Sequence, residues 1–322
     1  MALAAACRAA VVTSPDAGRA SPILVTGAPR SGTTWVGRML TLAPGVGYIH
    51  EPFNPTTDAG ISGRPVVRFF EYVTPETEAR YAPHLERSLR FSYDLRRQLP
   101  NVRSVRAVGR TATDLVAFTR LRLSKARPLV KDPIAVFSAG WLADRFGMDV
   151  VVTVRHPAAF VSSFTGLGYR HDFNSFLAEP QLLVDYLGPF ESEIRRYAEA
   201  PGDPIDEAVL LWRLVYATVE RYRTERPRWS FVRHEDLSLD PLGGYAALYT
   251  QLGLEYTDEV QDAIRAHTSA ENPDRLEEKH AVRLDSRASL SGWRRSLGEE
   301  QVRRIREGAA DVWPAFYDDA DW

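Results

Sequence analysis

The sequence of 322 residues contains one cysteine, Cys7, and its seven histidines show none of the close spacings of metal ligands. A single cysteine excludes an internal disulfide and any site built from several cysteines. With 40 basic and 42 acidic side chains, the net charge of −2 gives no overall attraction to nucleic acid or to a membrane. An anionic ligand therefore needs a local site in this chain.

Long apolar runs are also absent. The Ala-rich first 20 residues are interrupted by Arg8 and by turn residues, so they are too broken for a spanning helix or a signal sequence. We interpret residues 1–20 as a flexible leader, and we expect residues 21–322 to form a single domain of a cytoplasmic protein. The apolar content of 44% is sufficient for a large core.

The stretch from Ile23 to Leu40, ILVTGAPRSGTTWVGRML, starts with an apolar run, breaks at a turn and resumes with apolar residues at helical spacing. This pattern predicts a buried strand, a tight turn from Gly27 to Gly32 and a helix from Thr33 onward. Such a turn directs several backbone N–H groups and the positive end of a helix at one point. That point suits a phosphate group.

The turn lacks the lysine of nucleoside-triphosphate loops. In the pattern G-x-x-x-x-G-K-[ST], the Lys reaches the outer phosphates and the hydroxyl binds magnesium. Here Thr33 occupies the Lys position, and Arg30 supplies a cation further upstream. We expect the loop to hold one phosphate with a fixed charge beside it. The alternative is a strand-to-helix turn without a ligand.

The loop resembles the 5'-phosphosulfate-binding loop of sulfotransferases, which use 3'-phosphoadenosine 5'-phosphosulfate (PAPS). The family loop reads P-[KR]-S-G-T-T-x, and Pro29 to Thr34 match it at every position. The resemblance implies that backbone amides from Ser31 to Thr34 hold the 5'-phosphate and that Trp35 stacks on the adenine. An aromatic residue at helical spacing also suits the core. The implied cofactor-binding residues of this loop are Arg30, Ser31, Gly32, Thr33, Thr34 and Trp35.

Glu51 directly precedes Pro52 in YIHEPFNP, and the two prolines of this segment disfavour a regular helix. A single Glu on such a loop is by default a surface acid. Sulfotransferases that act on carbohydrates and on protein tyrosines have a Glu after the first helix, and the HEPFNP segment is similar to theirs. The resemblance implies that Glu51 is the general base.

Lys131 ends a short predicted strand in the segment RPLVKDP, and an amphipathic helix is predicted after it from Ala135 to Phe146. Catalytic residues of open α/β sheets collect at the carboxyl ends of strands. The alternative is a solvated charge that pairs with Asp132 or Glu51. Tyrosylprotein sulfotransferases have a similar KDP segment whose Lys contacts the sulfuryl group, which implies a catalytic role for Lys131. Together with Arg30, it would offset charge that develops on that group.

The run from Asp149 to Val154, DVVVTV, predicts a central parallel strand. Arg155 follows it, and Pro157 suits the first turn of a helix that would carry Ser163. The 3'-phosphate motif of sulfotransferases has an Arg at a strand end and a Ser eight residues later, as in this sequence. The resemblance implies that Arg155 and Ser163 bind the 3'-phosphate, whereas the alternative is that Arg155 only caps the sheet.

The segment from Arg233 to Leu237, RHEDL, resembles a family segment that lies near the adenine, and we interpret Glu235 and Asp236 as structural. In the family, a basic loop near the C-terminus closes over the 3'-phosphate. Arg287 is the nearest match to that loop, although the Arg-Lys-Gly of cytosolic sulfotransferases is absent.

Two further segments carry less information. Residues 60–127 predict helical pieces around 76–99 and 113–124, and their position makes them a candidate for acceptor recognition. Residues 166–204 are expected to be rich in loops and to form a lid.

The resemblance implies an α/β fold, in which a P-loop-type central parallel sheet is flanked by helices on both faces. It also implies sulfuryl transfer from PAPS to a hydroxyl of a small molecule, glycan or lipid, with PAP as product and no metal. Two alternatives stay open. A P-loop small-molecule kinase would need magnesium and a Lys after Gly32, and a non-catalytic nucleotide-binding protein would tolerate the loss of Glu51.

Overall fold

The computed structural model describes residues 20–63, 65–269, 271–272 and 286–322. The expected leader, apart from Ala20, lies outside these described residues.

The centre of the fold is a parallel sheet of five strands. The strands are β1 (Ile23–Gly27), β2 (Val46–His50), β3 (Arg127–Lys131), β4 (Asp149–Val154) and β5 (Ser230–Arg233). Their spatial order is β2-β3-β1-β4-β5, and every neighbouring pair is parallel. The predicted parallel sheet is confirmed. The sequence analysis missed β2, because Gly47 and the prolines after it disguise a short edge strand.

Helices connect the strands and continue beyond the last one. They are α1 (Thr33–Leu40), α2 (Ala59–Ser62), α3 (Ala82–Leu89), α4 (Leu95–Gln98), α5 (Val105–Leu123), α6 (Ala139–Phe146), α7 (Pro157–Thr165), α8 (Asn174–Leu177), α9 (Pro180–Leu182), α10 (Glu191–Glu199), α11 (Pro204–Glu225), α12 (His234–Leu239), α13 (Pro241–Gln251), α14 (Asp258–Thr268), α15 (Gly292–Ser296) and α16 (Glu299–Gly308).

Helices cover both faces of the sheet. Successive side chains of a strand point to opposite faces. In β1, Ile23 and Val25 pack with buried residues of α1, α13 and α14, whereas Leu24 packs with buried residues of α6, α7 and α11. The expected arrangement of two helical layers around the sheet is therefore present.

Two predicted boundaries differ from the observed ones. Helix α5 starts at Val105, well before the predicted start, because Ser104 caps it by accepting the N–H of Ala107 at 3.1 Å. The helix predicted from Ala135 begins only at Ala139, because a 3₁₀ segment from Pro133 to Ser138 precedes it. The cap at Ser104 moved the first start, and the 3₁₀ segment that follows Asp132 moved the second; periodicity reveals neither.

Residues 166–204 are helical rather than rich in loops. They contain α8, α9, a π-helical turn (Leu183–Leu187) and α10. The aromatic residues Phe173, Phe176 and Phe190 are buried in the larger hydrophobic core. The expectation of a loop-rich segment was wrong, because helices this short do not produce a readable apolar period, whereas the lid role stays a prediction.

Candidate functional site

The predicted loop lies at the carboxyl edge of the sheet, between two groups of predicted site residues. It follows β1, which pairs with β3 on one side and with β4 on the other. Lys131 ends β3 and Glu51 follows β2, whereas Arg155 follows β4 on the opposite side. Ligands of open α/β sheets bind at this edge, near the strand where the chain changes direction across the sheet.

The loop itself can accept only glycine at two positions. Gly27 has a φ of +144°, and a Cβ there would lie 2.4 Å from the carbonyl oxygen of Thr153. Gly32 has a φ of +94°, and a Cβ there would lie 2.5 Å from Nδ1 of His234. The loop is therefore held against the end of β4 and the start of α12.

Ser31 is buried and shapes the loop from within. Its N–H donates to the carbonyl of Ala28 at 3.1 Å, and its hydroxyl donates to the same oxygen at 2.6 Å. The hydroxyl also lies 2.6 Å from Oγ1 of Thr153. These contacts occupy both hydrogen-bond donors of Ser31. The two donors therefore hold the loop in place and do not point into it.

The next three N–H groups, those of Gly32, Thr33 and Thr34, open helix α1. The first N–H groups of a helix have no partner within it. The first turn of α1 contains no acidic residue that would compete for them. These three groups, together with the positive end of the helix, form the part of the loop that is suited to a phosphate.

Glu51 and Lys131 form an ion pair on one side of the loop, in which Lys131 is buried and Glu51 partly buried. His50 lies opposite Lys131 in the pairing of β2 with β3, and the N–H of Glu51 donates to the carbonyl of Lys131 at 2.9 Å. The ammonium of Lys131, 1% exposed, contacts Oε1 of Glu51. The side-chain amide of Asn54 donates to the other carboxylate oxygen at 2.7 Å.

These neighbours decide the protonation of Glu51. Burial alone would raise the pKa of its carboxyl, because it disfavours the charged form. The positive charge of Lys131, assisted by His50 and Asn54, outweighs burial and holds the pKa of Glu51 below its ordinary value of 4.5. Glu51 is therefore a carboxylate at neutral pH, which is the form that a general base requires.

The backbone around this pair is tied together by Asp132 and by a close helix approach. The fully buried carboxylate of Asp132 accepts the N–H of Phe53 at 2.6 Å and that of Ile134 at 2.9 Å. A Cβ on Gly37 would lie 3.2 Å from the side chain of Lys131, so glycine lets α1 pack directly against it. Lys131 is thus a buried partner of Glu51 and not a solvated surface charge.

Arg30, Arg155 and Ser163 come together on the other side of the loop. Nη1 of Arg155 donates to the carbonyl of Arg30 at 2.6 Å. Nε of Arg30 donates to the hydroxyl of Ser163, on α7, at 3.1 Å. Within the part of the chain that the structure describes, no hydrogen bond joins Arg30 to Glu51 or Lys131. The structure therefore groups Arg30 with the predicted 3'-phosphate residues and not with the other two predicted catalytic residues.

Arg155 is held rigidly and keeps one donor unused. Its N–H donates to the hydroxyl of Tyr216 at 3.1 Å, and its carbonyl accepts Nε1 of Trp212 at 2.9 Å. Its Nε is buried without a hydrogen-bond partner among the described residues. Burial lowers the pKa of the guanidinium, and Glu235 opposes that effect. A buried cation with a free donor beside the loop is suited to an anion.

His234 lies beside the loop and was not among the residues predicted from the sequence. The ring of Trp35 is half-buried and lies edge-on to His234 at 5.4 Å and to Tyr245 at 5.5 Å. Nδ1 of the buried His234 has no partner among the described residues, and burial lowers its pKa well below the usual value. The available signal was its position directly after β5, at the same edge of the sheet as the loop.

Two predictions near the C-terminus have mixed outcomes. Glu235 accepts the N–H of His156 at 3.1 Å and the hydroxyl of Tyr317 at 2.9 Å, which fits a structural role. Arg287 donates to the carbonyl of Leu239 at 2.9 Å, at the end of α12. Its predicted contact with a 3'-phosphate stays a prediction.

The described ranges contain neither a metal-type cluster nor a membrane-spanning helix. No group of three or more His, Cys, Asp or Glu side chains there is arranged to hold a metal ion. None of the helices in those ranges has the length and apolar character needed to cross a membrane.

Comparisons with known proteins point in one direction. A family model described as "Sulfotransferase family" matches residues 22–258, which include every predicted site residue except Arg287. A comparison with curated proteins found no match.

Similar solved structures share little sequence with this chain. The sulfotransferase domain from the curacin biosynthetic pathway is 13% identical, covers 91% of this chain and 99% of that chain, and has a TM-score of 0.49. The sulfotransferase domain from the Synechococcus PCC 7002 olefin synthase is 19% identical, with coverages of 95% and 98% and a TM-score of 0.43. A mouse sulfotransferase complexed with PAP is 12% identical, with coverages of 94% and 88% and a TM-score of 0.44.

Proposed function

Because the chain belongs to the sulfotransferase family, we propose that it transfers a sulfuryl group from PAPS to a hydroxyl of a small-molecule, glycan or lipid acceptor. One observation carries the proposal. The phosphate loop lies between the ion pair of Glu51 and Lys131 on one side and Arg155 with Ser163 on the other. A loop that served one phosphate alone would not need this second cationic group.

The donor would be held by two separate groups of hydrogen-bond donors. The N–H groups of Gly32, Thr33 and Thr34 suit the 5'-phosphate at the positive end of α1. Arg155, with its unused buried donor, and Ser163 suit the 3'-phosphate, which distinguishes PAPS from an ordinary adenylate.

The adenine and the outer side of the 3'-phosphate involve further residues. Trp35 would stack on the adenine, and His234 supports the Trp35 ring from behind. Arg287 would approach the 3'-phosphate from the C-terminal part of the chain. We add His234 to the residues that were proposed from the sequence alone.

Glu51 would act as the general base. The acceptor oxygen forms a bond to sulfur while the bond between sulfur and the 5'-phosphate oxygen breaks, and the acceptor proton passes to Glu51. The electron pair of the broken bond leaves with PAP. A well-placed base contributes roughly 100- to 10,000-fold to a rate.

Lys131 and Arg30 would offset the charge that develops on the sulfuryl and bridging oxygens. Lys131 is already fixed beside Glu51 by burial. Arg30 can contact the sulfuryl group when its hydrogen bond to Ser163 breaks. The Ser163 hydroxyl is then free for the 3'-phosphate. Binding of the donor would therefore exchange one internal hydrogen bond for contacts to both ends of the nucleotide.

The two alternatives predict different chemistry. A kinase would need a Lys after Gly32, where this chain has Thr33, and family membership supports sulfuryl transfer instead. A non-catalytic nucleotide-binding protein has no use for a carboxylate that is held ionised beside its loop.

Incubation with labelled PAPS and a panel of hydroxyl acceptors, or a metabolite extract, tests the proposal. We expect a labelled sulfate ester with the wild-type protein and none with Glu51→Ala, while PAP binding persists in that variant. Equal turnover of a true acceptor by wild type and Glu51→Ala would remove Glu51 from the mechanism.

A further inference from the structure

Helix α5 carries an apolar stripe on its outer face. Val105 is 91% exposed, Val108 56%, Val116 49% and Leu123 78%. At 100° per residue these positions fall on one side of the helix, and the exposed Ala112 lies between them. Only Thr111 and Phe118 of the 19 residues in α5 are buried, and they lie on the inner side. The outer side is thus an apolar surface that the protein's own core does not use.

Basic side chains border this stripe and are not neutralised. Residues 103–125 contain six basic side chains and a single carboxylate, Asp114, which is half-buried. All six are exposed, and none forms an ion pair within the described part of the chain: Arg103, Arg106, Arg110, Arg120, Arg122 and Lys125. By contrast, Arg303 on α16 is bonded to both Glu300 and Glu307. A strong local positive charge therefore exists despite the net charge of −2.

We propose that α5 docks on the surface of an anionic lipid bilayer, with its helix axis in the plane of the interface. A helix that combines an exposed apolar stripe with bordering Arg and Lys side chains matches the pattern of interfacial helices. The stripe enters the boundary between head groups and acyl chains, and the cations contact the anionic head groups.

The charges and the shape favour this partner over two others. A second copy of the chain would bring Arg106 and Arg120 against the same basic residues, because the outer face of α5 has no acid to pair with them. An anionic polysaccharide would leave Val105 and Leu123 in water. The apolar stripe is a ridge on a single convex helix, and acyl chains can adapt to that shape.

The proposal concerns binding and does not depend on the proposed reaction. It also refines the conclusion from composition, because the near-zero net charge of the whole chain conceals a local basic surface. The described part of the chain has no helix that could cross a membrane, and docking through α5 requires none.

Flotation of the full-length protein with lipid vesicles tests the proposal. We expect binding to phosphatidylcholine vesicles that contain phosphatidylglycerol, little binding to phosphatidylcholine alone, and weaker binding at high salt. Replacing Arg103, Arg106, Arg120 and Arg122 by Gln should lower the partition coefficient at least ~100-fold, because each surface cation contributes roughly five-fold. Val105→Ser with Val116→Ser and Leu123→Ser should lower it by about ten-fold or more.

Two exposed positions outside α5 provide the control. Arg303→Gln together with Val184→Ser, at a side chain that is 78% exposed, should leave vesicle binding unchanged. Equal binding to neutral and anionic vesicles would overturn the proposal. So would α5 variants that bind like the wild type, or an oligomer that is lost with the Ser variants while lipid binding is absent throughout.

Discussion

The carboxylate of Glu51 and the ammonium of Lys131 form an ion pair between the ends of two adjacent strands, β2 and β3. The pair lies beside a phosphate-type loop and is largely removed from water. Removing either partner leaves the other charge unpaired. This costs more free energy of folding for the buried Lys131 than for the more exposed Glu51. Glu51 and Lys131 can therefore be tested separately.

Glu51→Gln should abolish most transfer while PAP still binds. The variant keeps the shape of the side chain but cannot take a proton, so we expect kcat to fall by about 100- to 10,000-fold. PAP affinity, measured by calorimetry, should change little, because the loop N–H groups and Arg155 are untouched. Glu225→Gln, in an exposed pair with Arg221, serves as the matched control and should keep full activity. A variant that loses PAP binding and transfer together would mean that Glu51 mainly supports the fold.

The stability of this variant can be checked independently. Lys131 is left buried without its partner, so the free energy of unfolding should fall by about 3–5 kcal/mol. Adding Lys131→Met should restore much of that loss, which urea unfolding will measure. No restoration in the double variant would contradict a direct energetic coupling between the two side chains.

Lys131→Met should move the acid limb of the pH profile upward. In the wild type the pKa of Glu51 is held below 4.5, so the active carboxylate persists to lower pH. Without Lys131, burial acts unopposed by its strongest neighbour, and the pKa should rise. The dependence of kcat/KM on pH measures this change, with Lys125→Met as a control at an exposed lysine. An unchanged acid limb would show that Lys131 does not set the protonation of Glu51.

The same shift has a consequence for stability. A carboxyl whose pKa is lower in the folded protein stabilises the fold above its unfolded pKa, and this stabilisation is lost as pH falls through the folded value. The wild type should therefore lose the contribution of Glu51 below pH 4.5, which urea unfolding across pH can detect.

Arg155→Met should weaken PAP much more than AMP. Hydrogen bonds to charged groups are worth about 1.5–3 kcal/mol, so we expect a loss of roughly 10- to 100-fold for PAP. Ser163→Ala removes a neutral donor and should cost about five-fold. Calorimetric titration of both nucleotides measures the difference, and Arg145→Met on the surface provides the control. Equal losses for PAP and AMP would mean that Arg155 only supports the loop through the carbonyl of Arg30.

Gly27→Ala should destabilise the protein far more than Gly45→Ala. Both glycines have positive φ, 144° and 76°, but a Cβ at Gly27 would collide with the carbonyl of Thr153, whereas Gly45 has open space around it. The backbone conformation alone costs about 1–2 kcal/mol, and the collision at Gly27 adds roughly 1–3 kcal/mol. Thermal unfolding compares the two variants. Similar Tm values would indicate that the loop can move away from β4.

Much of the candidate site could be predicted, because its residues follow strands that appear in the sequence as apolar runs. The apolar runs before Gly27 and Arg155 mark central strands, and parallel strands bring their carboxyl ends to one edge. Lys131 was found for the same reason. The pairing of Lys131 with Glu51 was only one alternative, because it depends on β2, an edge strand that the sequence pattern conceals.

Other features depend on contacts that a linear pattern cannot contain. Nδ1 of His234 is buried against Gly32, and this contact is between residues of two distant segments. The hydrogen bond between Arg30 and Ser163 likewise follows from the adjacency of β1 and β4. An apolar stripe such as that on α5 has the same spacing whether it faces the core or solvent, and only the structure shows that it faces outward.

Calorimetric titration of the purified protein with PAP, AMP and ATP with magnesium tests whether the site recognises a 3'-phosphate. We predict that PAP binds much more tightly than AMP, because Arg155 and Ser163 would contact the 3'-phosphate, and that ATP with magnesium binds weakly. Tight binding of ATP with magnesium without binding of PAP would contradict it.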